Sequence, residues 1–128
     1  TIVLTDECYC HFNYQDLKPF SLASLGKAYR DHVVVVGSVS KTYAMTGWRV
    51  GFCLGPAKLI KAMLKIQSHC TSNVNSIAQK AAVEALVGPQ TSILEMLGEY
   101  TRRREFIINA LNAIPGITCN WQDGAFYG

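Results

Sequence analysis

The chain has 128 residues, of which 49% are hydrophobic and 16% are charged, the composition of an ordinary packed domain. Its net charge is only +3, and the basic residues are scattered except at Arg102–Arg104, which we interpret as the solvated face of a helix. The charge pattern therefore argues against nucleic-acid binding, and no apolar run approaches the roughly 18 residues that would indicate a membrane span.

The five cysteines are odd in number and form no Cys-x-x-Cys pair, so the sequence predicts neither a metal site nor a disulfide framework. Free thiols of this kind are typical of a reducing, cytoplasmic setting. The chain begins at Thr1 inside an apolar run and stops at Gly128 directly after a structured-looking motif. We expect an internal fragment of a longer protein.

The first half of the chain predicts three strands, with a loop and a short helix between the first two. The strands are short apolar runs of the kind that are buried in parallel sheets. They cover residues 1–5, 33–36 and 49–54, with the loop over 10–20 and the helix over 21–29.

The second half predicts three helices and one further strand. The helices cover residues 56–68, 76–87 and 91–113, and the strand covers 117–121. Asn75 or Ser76 is a suitable N-cap for the middle helix, and Gly88-Pro89 ends it. Strands that alternate with helices indicate an α/β fold, here a three-layer α/β/α arrangement around a mostly parallel sheet.

Two groups of polar residues directly follow predicted strands. Asp6 follows the first strand, and the segment from Ser38 to Lys41 follows the second. In parallel sheets ligands bind at the carboxyl ends of the strands, so we expect both groups at one edge. A lysine that can form an imine, with hydroxyls and a guanidinium that can hold a phosphate, suggests a site for pyridoxal 5'-phosphate (PLP).

The motifs together resemble the fold-type I PLP-dependent enzymes, specifically class I/II aminotransferases of the aspartate aminotransferase kind. The resemblance rests on four patterns and extends over essentially the whole chain. They are Asp6-x-x-Tyr9, Ser38-x-Ser40-Lys41, Gly47-x-Arg49-x-Gly51 and the terminal Gly-Ala-Phe-Tyr. It implies that residues 1–100 belong to the large PLP-binding domain and that residues 101–128 form an interdomain helix and the start of the small domain.

The resemblance implies an enzyme that transfers the amino group of an amino acid to a 2-oxo acid. Lys41 would hold PLP through a Schiff base and, once released, move a proton on the substrate. An amine is nucleophilic only when it is unprotonated, which partial desolvation favours. Asp6 would pair with the pyridine nitrogen and keep the ring electron-accepting. Tyr9 would hydrogen-bond the 3-oxygen of the cofactor.

The same resemblance implies which residues bind the phosphate group of the cofactor. Arg49 would bind it with its planar fork, which lysine cannot reproduce. Ser38 would donate a hydroxyl to it, and Ser40 is either a second ligand or a turn residue. Ser72 resembles the segment that reaches the phosphate site of the partner in a homodimer, although Val74 replaces the usual proline.

Other parts of such a site are expected outside residues 1–128. In the family they include the aromatic residue that stacks on PLP and the arginine that binds the substrate carboxylate, so we expect the isolated fragment to be a poor enzyme. Three alternatives stay open: a related PLP-dependent lyase or synthase, the PLP-binding sensor domain of a transcription regulator, and a non-catalytic scaffold.

Overall fold

The computed structural model describes residues 1–15 and 18–128, and residues 16 and 17 of the predicted loop lie outside that description. The chain divides into two compact units. The first comprises Thr1–Cys8 and Phe20–Gly88, and the second comprises Tyr9–Pro19 and Pro89–Gly128. The assignment of residues 1–100 and 101–128 to a large and a small domain stays a prediction.

The first unit contains a three-stranded sheet in the order β1-β2-β3. Its strands are β1 (Val3–Asp6), β2 (Val33–Ser38) and β3 (Gly51–Leu54). Strands β1 and β2 are parallel, whereas β3 runs antiparallel to β2. The α/β class predicted from the alternating pattern is confirmed, and the third strand makes this part of the sheet mixed.

The central strand β2 is buried, but its neighbours are open to solvent. Val34 and Val35 are 2% and 4% exposed, whereas Leu4 of β1 is 68% exposed. The prediction of burial is therefore wrong for the first strand and also for the third, in which Leu54 of β3 is 55% exposed. Among the residues that the structure describes, strand β1 lies at the edge of the sheet and pairs only with β2, so its apolar composition alone did not determine its burial.

The helices of the first unit follow the predicted order. The short predicted helix is split at Gly26 into a 3-10 turn, Leu22–Ser24, and the single-turn helix α1 (Lys27–Arg30). Helices α2 (Ala57–Cys70) and α3 (Ser76–Val87) lie close to their predicted bounds. Asn75 caps α3, because its side-chain oxygen accepts the backbone N–H groups of Ile77 and Ala78.

The second unit is built on α4 (Thr91–Asn112), within one residue of its predicted end. The buried side chain of Phe12 lies in an aromatic cluster, defined here as Tyr9, Phe12, Tyr100, Phe126 and Tyr127. Backbone hydrogen bonds tie the segment before residue 16 to the last residues of the chain. They include an isolated bridge between Asn13 and Gly124.

The strand predicted over residues 117–121 is wrong. The backbone N–H and C=O of Cys119 are both bonded by the side chain of Asn112, at 2.8 and 2.9 Å. A side-chain amide thus satisfies the groups that a neighbouring strand would otherwise pair. The apolar residues of this segment form irregular structure around that contact.

The arginine run on α4 follows the prediction only in part. Arg102 and Arg103 are exposed and pair with Glu99 at 2.7 Å, as a solvated face requires. Arg104 instead lies between the rings of Tyr14 and Trp121, with its guanidinium carbon 4.7 and 4.8 Å from their centroids. Its sequence neighbours could not indicate these aromatic partners, which come from distant residues.

No helix within residues 1–15 and 18–128 has the length and apolarity needed to cross a bilayer.

Candidate active site

The sheet of the first unit brings three segments to one edge. The parallel pairing of β1 and β2 sets Asp6 opposite Val36, so both strands end at the same edge. The antiparallel pairing of β2 and β3 sets Ser38 opposite Gly51, so β3 begins where β2 ends. Arg49 precedes β3 and therefore lies at the edge that carries Asp6 and the segment after β2.

The carboxylate of Asp6 is held at the end of β1 by the next turn of the chain. Its Oδ1 accepts the backbone N–H of Cys8 at 2.9 Å. This hydrogen bond and a second one from the Cys8 side chain lower the pKa of Asp6, against a smaller opposing effect of burial. Asp6 is therefore ionised at neutral pH, as a partner for a protonated ring nitrogen must be.

The hydroxyl of Ser38 is oriented by two neighbours. It accepts the backbone N–H of Ser40 at 3.2 Å and the thiol of Cys8 at 3.5 Å. A hydroxyl has two acceptor lone pairs and one proton. With both lone pairs used by described residues, the Ser38 O–H is suited to donate to an anion. Ser40 contributes its backbone to this arrangement, which fits a turn residue.

Lys41 lies in a loop that is anchored on both sides by buried residues. Val39 before it and Met45 after it are 1% and 9% exposed, and both pack with Ala82 of α3. The small side chain of alanine permits this close approach of loop and helix. Full burial of a side chain such as Val39 contributes about 1.5–3 kcal/mol, so packing fixes the loop on either side of the lysine.

Arg49 has an unusual backbone conformation, with φ at 56° and ψ at 47° in the left-handed region. Residues other than glycine rarely adopt this conformation, because their Cβ atom clashes with the backbone there, and arginine has a Cβ. Its exposed guanidinium is held locally, because Nη1 donates to the backbone oxygen of Thr46 at 2.7 Å. The strained backbone and the fixed side chain together mark Arg49 as a constrained position at the sheet edge.

A groove of about 680 Å³ lies beside Arg49 within the first unit. Its other walls come from the end of α2, the connection after it and the start of α3, including Thr71, Asn73 and Asn75. Ser72 lies in this connection, is exposed, and has a positive φ of 61°. The structure therefore brings the Ser72 segment and Arg49 of the same chain to one groove.

Tyr9 belongs to the second unit, and its ring contacts other residues of that unit. Its ring packs edge-on against Phe126 and Tyr127, at centroid distances of 5.2 and 5.6 Å. Its hydroxyl lies 2.6 Å from the hydroxyl of Tyr127, a short hydrogen bond between two phenols. The Asp6-x-x-Tyr9 motif thus contributes one residue to each unit.

Cys8 is a site residue that the sequence interpretation missed. Its backbone N–H holds Asp6 and its thiol contacts Ser38, so it connects the ends of β1 and β2. Burial raises the pKa of the Cys8 thiol, with smaller opposing contributions from Ser38 and Lys41, so it acts as a neutral donor at pH 7. The Asp-x-Cys spacing of an Asx turn was the available signal.

Comparison with known proteins assigns the chain to a family. Residues 1–128 match the family Aminotransferase class I and II. The chain belongs to this family.

Curated relatives match nearly all of the chain. An aspartate aminotransferase of Streptomyces avermitilis is 48% identical over 125 residues, which are 98% of this chain and 31% of that protein. The aspartate aminotransferase of Rhizobium meliloti is 44% identical, covering 98% of this chain and 30% of that protein. An aspartate/prephenate aminotransferase of Nitrosomonas europaea is also 44% identical, over 98% of this chain and 32% of the relative.

Solved structures give the same result for the fold. The crystal structure of the aspartate aminotransferase from Rhizobium meliloti matches with a TM-score of 0.92 and 43% identity, over 97% of this chain and 31% of that one. An aromatic aminotransferase from Pyrococcus horikoshii matches with a TM-score of 0.89 and 37% identity, over 97% of this chain and 33% of that one. The chain thus spans about a third of the length of the relatives it matches.

Proposed function

We propose that this chain is the lysine-bearing segment of a PLP-dependent aminotransferase, an enzyme that transfers the amino group of an amino acid to a 2-oxo acid. The proposal is supported by the strand register, which sets Asp6 at the end of β1 and Ser38 at the end of β2 on one edge of the sheet, with Lys41 and Arg49 in the loop that joins β2 to β3 at that edge. The family membership supports the same reading.

The side chains at this edge fit PLP in chemical type. The cofactor has a basic ring nitrogen, an aldehyde and a dianionic phosphate. Asp6 is ionised, as the ring nitrogen requires. Lys41 is the amine, and the Ser38 hydroxyl and Arg49 guanidinium are donors suited to phosphate oxygens. When bound, PLP supplies an electron-accepting ring that acidifies the α-carbon of an amino acid.

In this proposal Lys41, Asp6 and Arg49 each have a separate role. Lys41 would hold the cofactor through its Nζ, and the same Nζ would carry a proton once the lysine is free of the cofactor. Asp6 keeps the ring nitrogen protonated through its ionised carboxylate. Arg49 binds the phosphate by charge-assisted hydrogen bonds, which are about twice as strong as neutral ones.

The remaining predicted ligands have supporting roles in the proposal. Tyr9 donates its hydroxyl to the 3-oxygen of the cofactor. Ser38 donates to the phosphate, and Ser40 orients Ser38 through its backbone N–H. Ser72, whose segment shares a groove with Arg49 of its own chain, would contact the phosphate site of a second subunit if the working enzyme is a homodimer. The five cysteines are free thiols, which agrees with a cytoplasmic location.

The names of the relatives suggest aspartate as the amino donor. The test is amino-group transfer by the full-length protein from aspartate, with tyrosine and phenylalanine as competing donors and 2-oxoglutarate as acceptor. Faster oxaloacetate formation from aspartate supports this substrate. Preference for an aromatic donor would contradict it and leave the aminotransferase proposal intact.

The covalent role of Lys41 is tested by absorbance. The full-length protein with PLP should have a visible band that borohydride abolishes, and mass spectrometry should then locate the adduct on Lys41. Lys41→Ala should lose the reducible adduct and about a thousandfold in transfer rate, because both the attachment and the proton carrier are removed. Lys61→Ala, at an exposed lysine of α2, is the matched control. An unchanged reducible band in Lys41→Ala would disprove the assignment.

A further inference from the structure

The terminal Gly-Ala-Phe-Tyr motif has no role in the site described so far. It lies in the second unit, where it meets the segment that follows Tyr9. Ala125 donates its backbone N–H to the oxygen of Phe12 at 2.8 Å, and its own oxygen accepts the hydroxyl of Tyr14 at 2.6 Å. These bonds fix the backbone that carries Tyr127 against the segment that carries Tyr9.

The close approach of the two segments depends on a glycine. A Cβ at Gly124 would lie 2.9 Å from the backbone oxygen of Phe12, which is closer than real Cβ atoms come to other atoms. Ala125 follows with a positive φ of 58°, so the chain turns sharply before Phe126 and Tyr127. The motif therefore has a local geometric function: it directs two aromatic side chains toward Tyr9.

The contact between the two tyrosines is polar as well as aromatic. Their hydroxyl oxygens are 2.6 Å apart and their rings meet at 74°, close to an edge-on arrangement. In such a pair one phenol donates and the other accepts. If Tyr127 donates, Tyr9 is the acceptor in this pair, and the strength of Tyr9 as a donor increases through the cooperativity of linked hydrogen bonds.

We propose that Tyr127 is a positioning residue for Tyr9, which orients the Tyr9 hydroxyl and donates to it so that Tyr9 donates to the cofactor. This inference rests on the proposed function, in which Tyr9 bonds the 3-oxygen of PLP. In this proposal Tyr127 acts through its contact with Tyr9 and is a positioning residue, not a catalytic one. The last motif of the chain thereby becomes part of the control of the cofactor's proton affinity.

The proposal predicts a specific spectroscopic change. A donor to the 3-oxygen stabilises its negative charge and lowers the proton affinity of the lysine-bound nitrogen nearby. Tyr9→Phe should therefore raise the pH midpoint of the visible band in the PLP-loaded, full-length protein. Tyr127→Phe should raise it in the same direction by roughly a few tenths of a pH unit, less than Tyr9→Phe, because the Tyr9 donor is weakened and remains present.

The double variant separates positioning from general packing. If Tyr127 acts through Tyr9, Tyr9→Phe with Tyr127→Phe should have the same midpoint as Tyr9→Phe alone. Tyr100→Phe is the matched control, because it removes a phenol hydroxyl from the same aromatic cluster but not from the pair, and it should leave the midpoint unchanged. Tyr127 is 61% exposed and its replacement keeps the ring, so folding is retained.

The possible results distinguish failure of the inference about Tyr127 from failure of the proposed function. A midpoint in Tyr127→Phe equal to that of the unaltered protein overturns the inference, as does a Tyr127→Phe shift of equal size in the Tyr9→Phe background. Both results leave the proposed function standing. Absence of any borohydride-sensitive band in the unaltered protein overturns the proposed function and the inference together.

Discussion

Replacement of Arg49 should separate stability from cofactor binding. Arg49 has a φ of 56°, a left-handed conformation that costs a residue with a Cβ about 1–2 kcal/mol. Arg49→Gly relieves this strain, but glycine loses about 0.5–1 kcal/mol more than alanine when its backbone is ordered. Both Arg49→Gly and Arg49→Ala lose the hydrogen bond to Thr46. The difference should leave the glycine variant about 0.5–1 kcal/mol more stable than the alanine variant.

The assay compares the free energy of unfolding in urea for the full-length protein without cofactor. The same pair of substitutions at Lys80, an exposed residue inside α3, provides the control. There the order should be reversed, with glycine about 1 kcal/mol less stable than alanine. An Arg49→Ala variant as stable as Arg49→Gly would refute the inference that the backbone at this residue is strained.

The same two variants should bind PLP equally poorly. Charge-assisted hydrogen bonds contribute about 1.5–3 kcal/mol, so loss of the guanidinium should weaken PLP binding roughly 10- to 100-fold. Fluorescence titration of the apoprotein measures this affinity. The glycine variant would then be the more stable of the two and still defective, which indicates that the strained conformation is retained for the position of the guanidinium.

Two further predictions concern stability. Asn75→Ala removes the side-chain cap that accepts two backbone N–H groups of α3, and should cost about 1 kcal/mol in urea unfolding, whereas Asn73→Ala should cost less than half of that. Hydrogen bonds from Arg102 and Arg103 lower the pKa of Glu99 from 4.5 to about 2, so this carboxylate stabilises the fold above pH 4.5 and loses that effect as the pH falls toward 2. Glu99→Gln should flatten the curve of stability against pH in that interval; an unchanged slope would argue against the pairing.

The sequence predicted which residues lie at the sheet edge more successfully than it predicted the direction of the strand that follows them. Asp6 and Ser38 were predicted at one edge from two apolar runs and the expectation of parallel strands, and the β1–β2 register confirms this placement. The position of Arg49 at the same edge depends on the antiparallel return of β3. Apolar periodicity reads the same in both strand directions, so the sequence pattern could not supply that information.

Features that depend on distant partners were the ones missed. Arg104 was assigned to a solvated face because its neighbours are arginines, yet Tyr14 and Trp121 enclose its guanidinium. The predicted strand around Cys119 has a plausible β-branched composition, but Asn112 satisfies its backbone. Composition reports local preference, whereas these contacts are decided by tertiary packing.

The antiparallel return also bears on how such a site forms during folding. Ser38 and Gly51 are thirteen residues apart and pair directly, so the loop with Lys41 and Arg49 is closed by a local hairpin. Asp6 joins through a parallel pairing with Val36, thirty residues away. Closing a short loop costs less chain entropy than closing a long one. We expect the lysine and the arginine to reach their relative positions early in folding, with the aspartate completing the edge later.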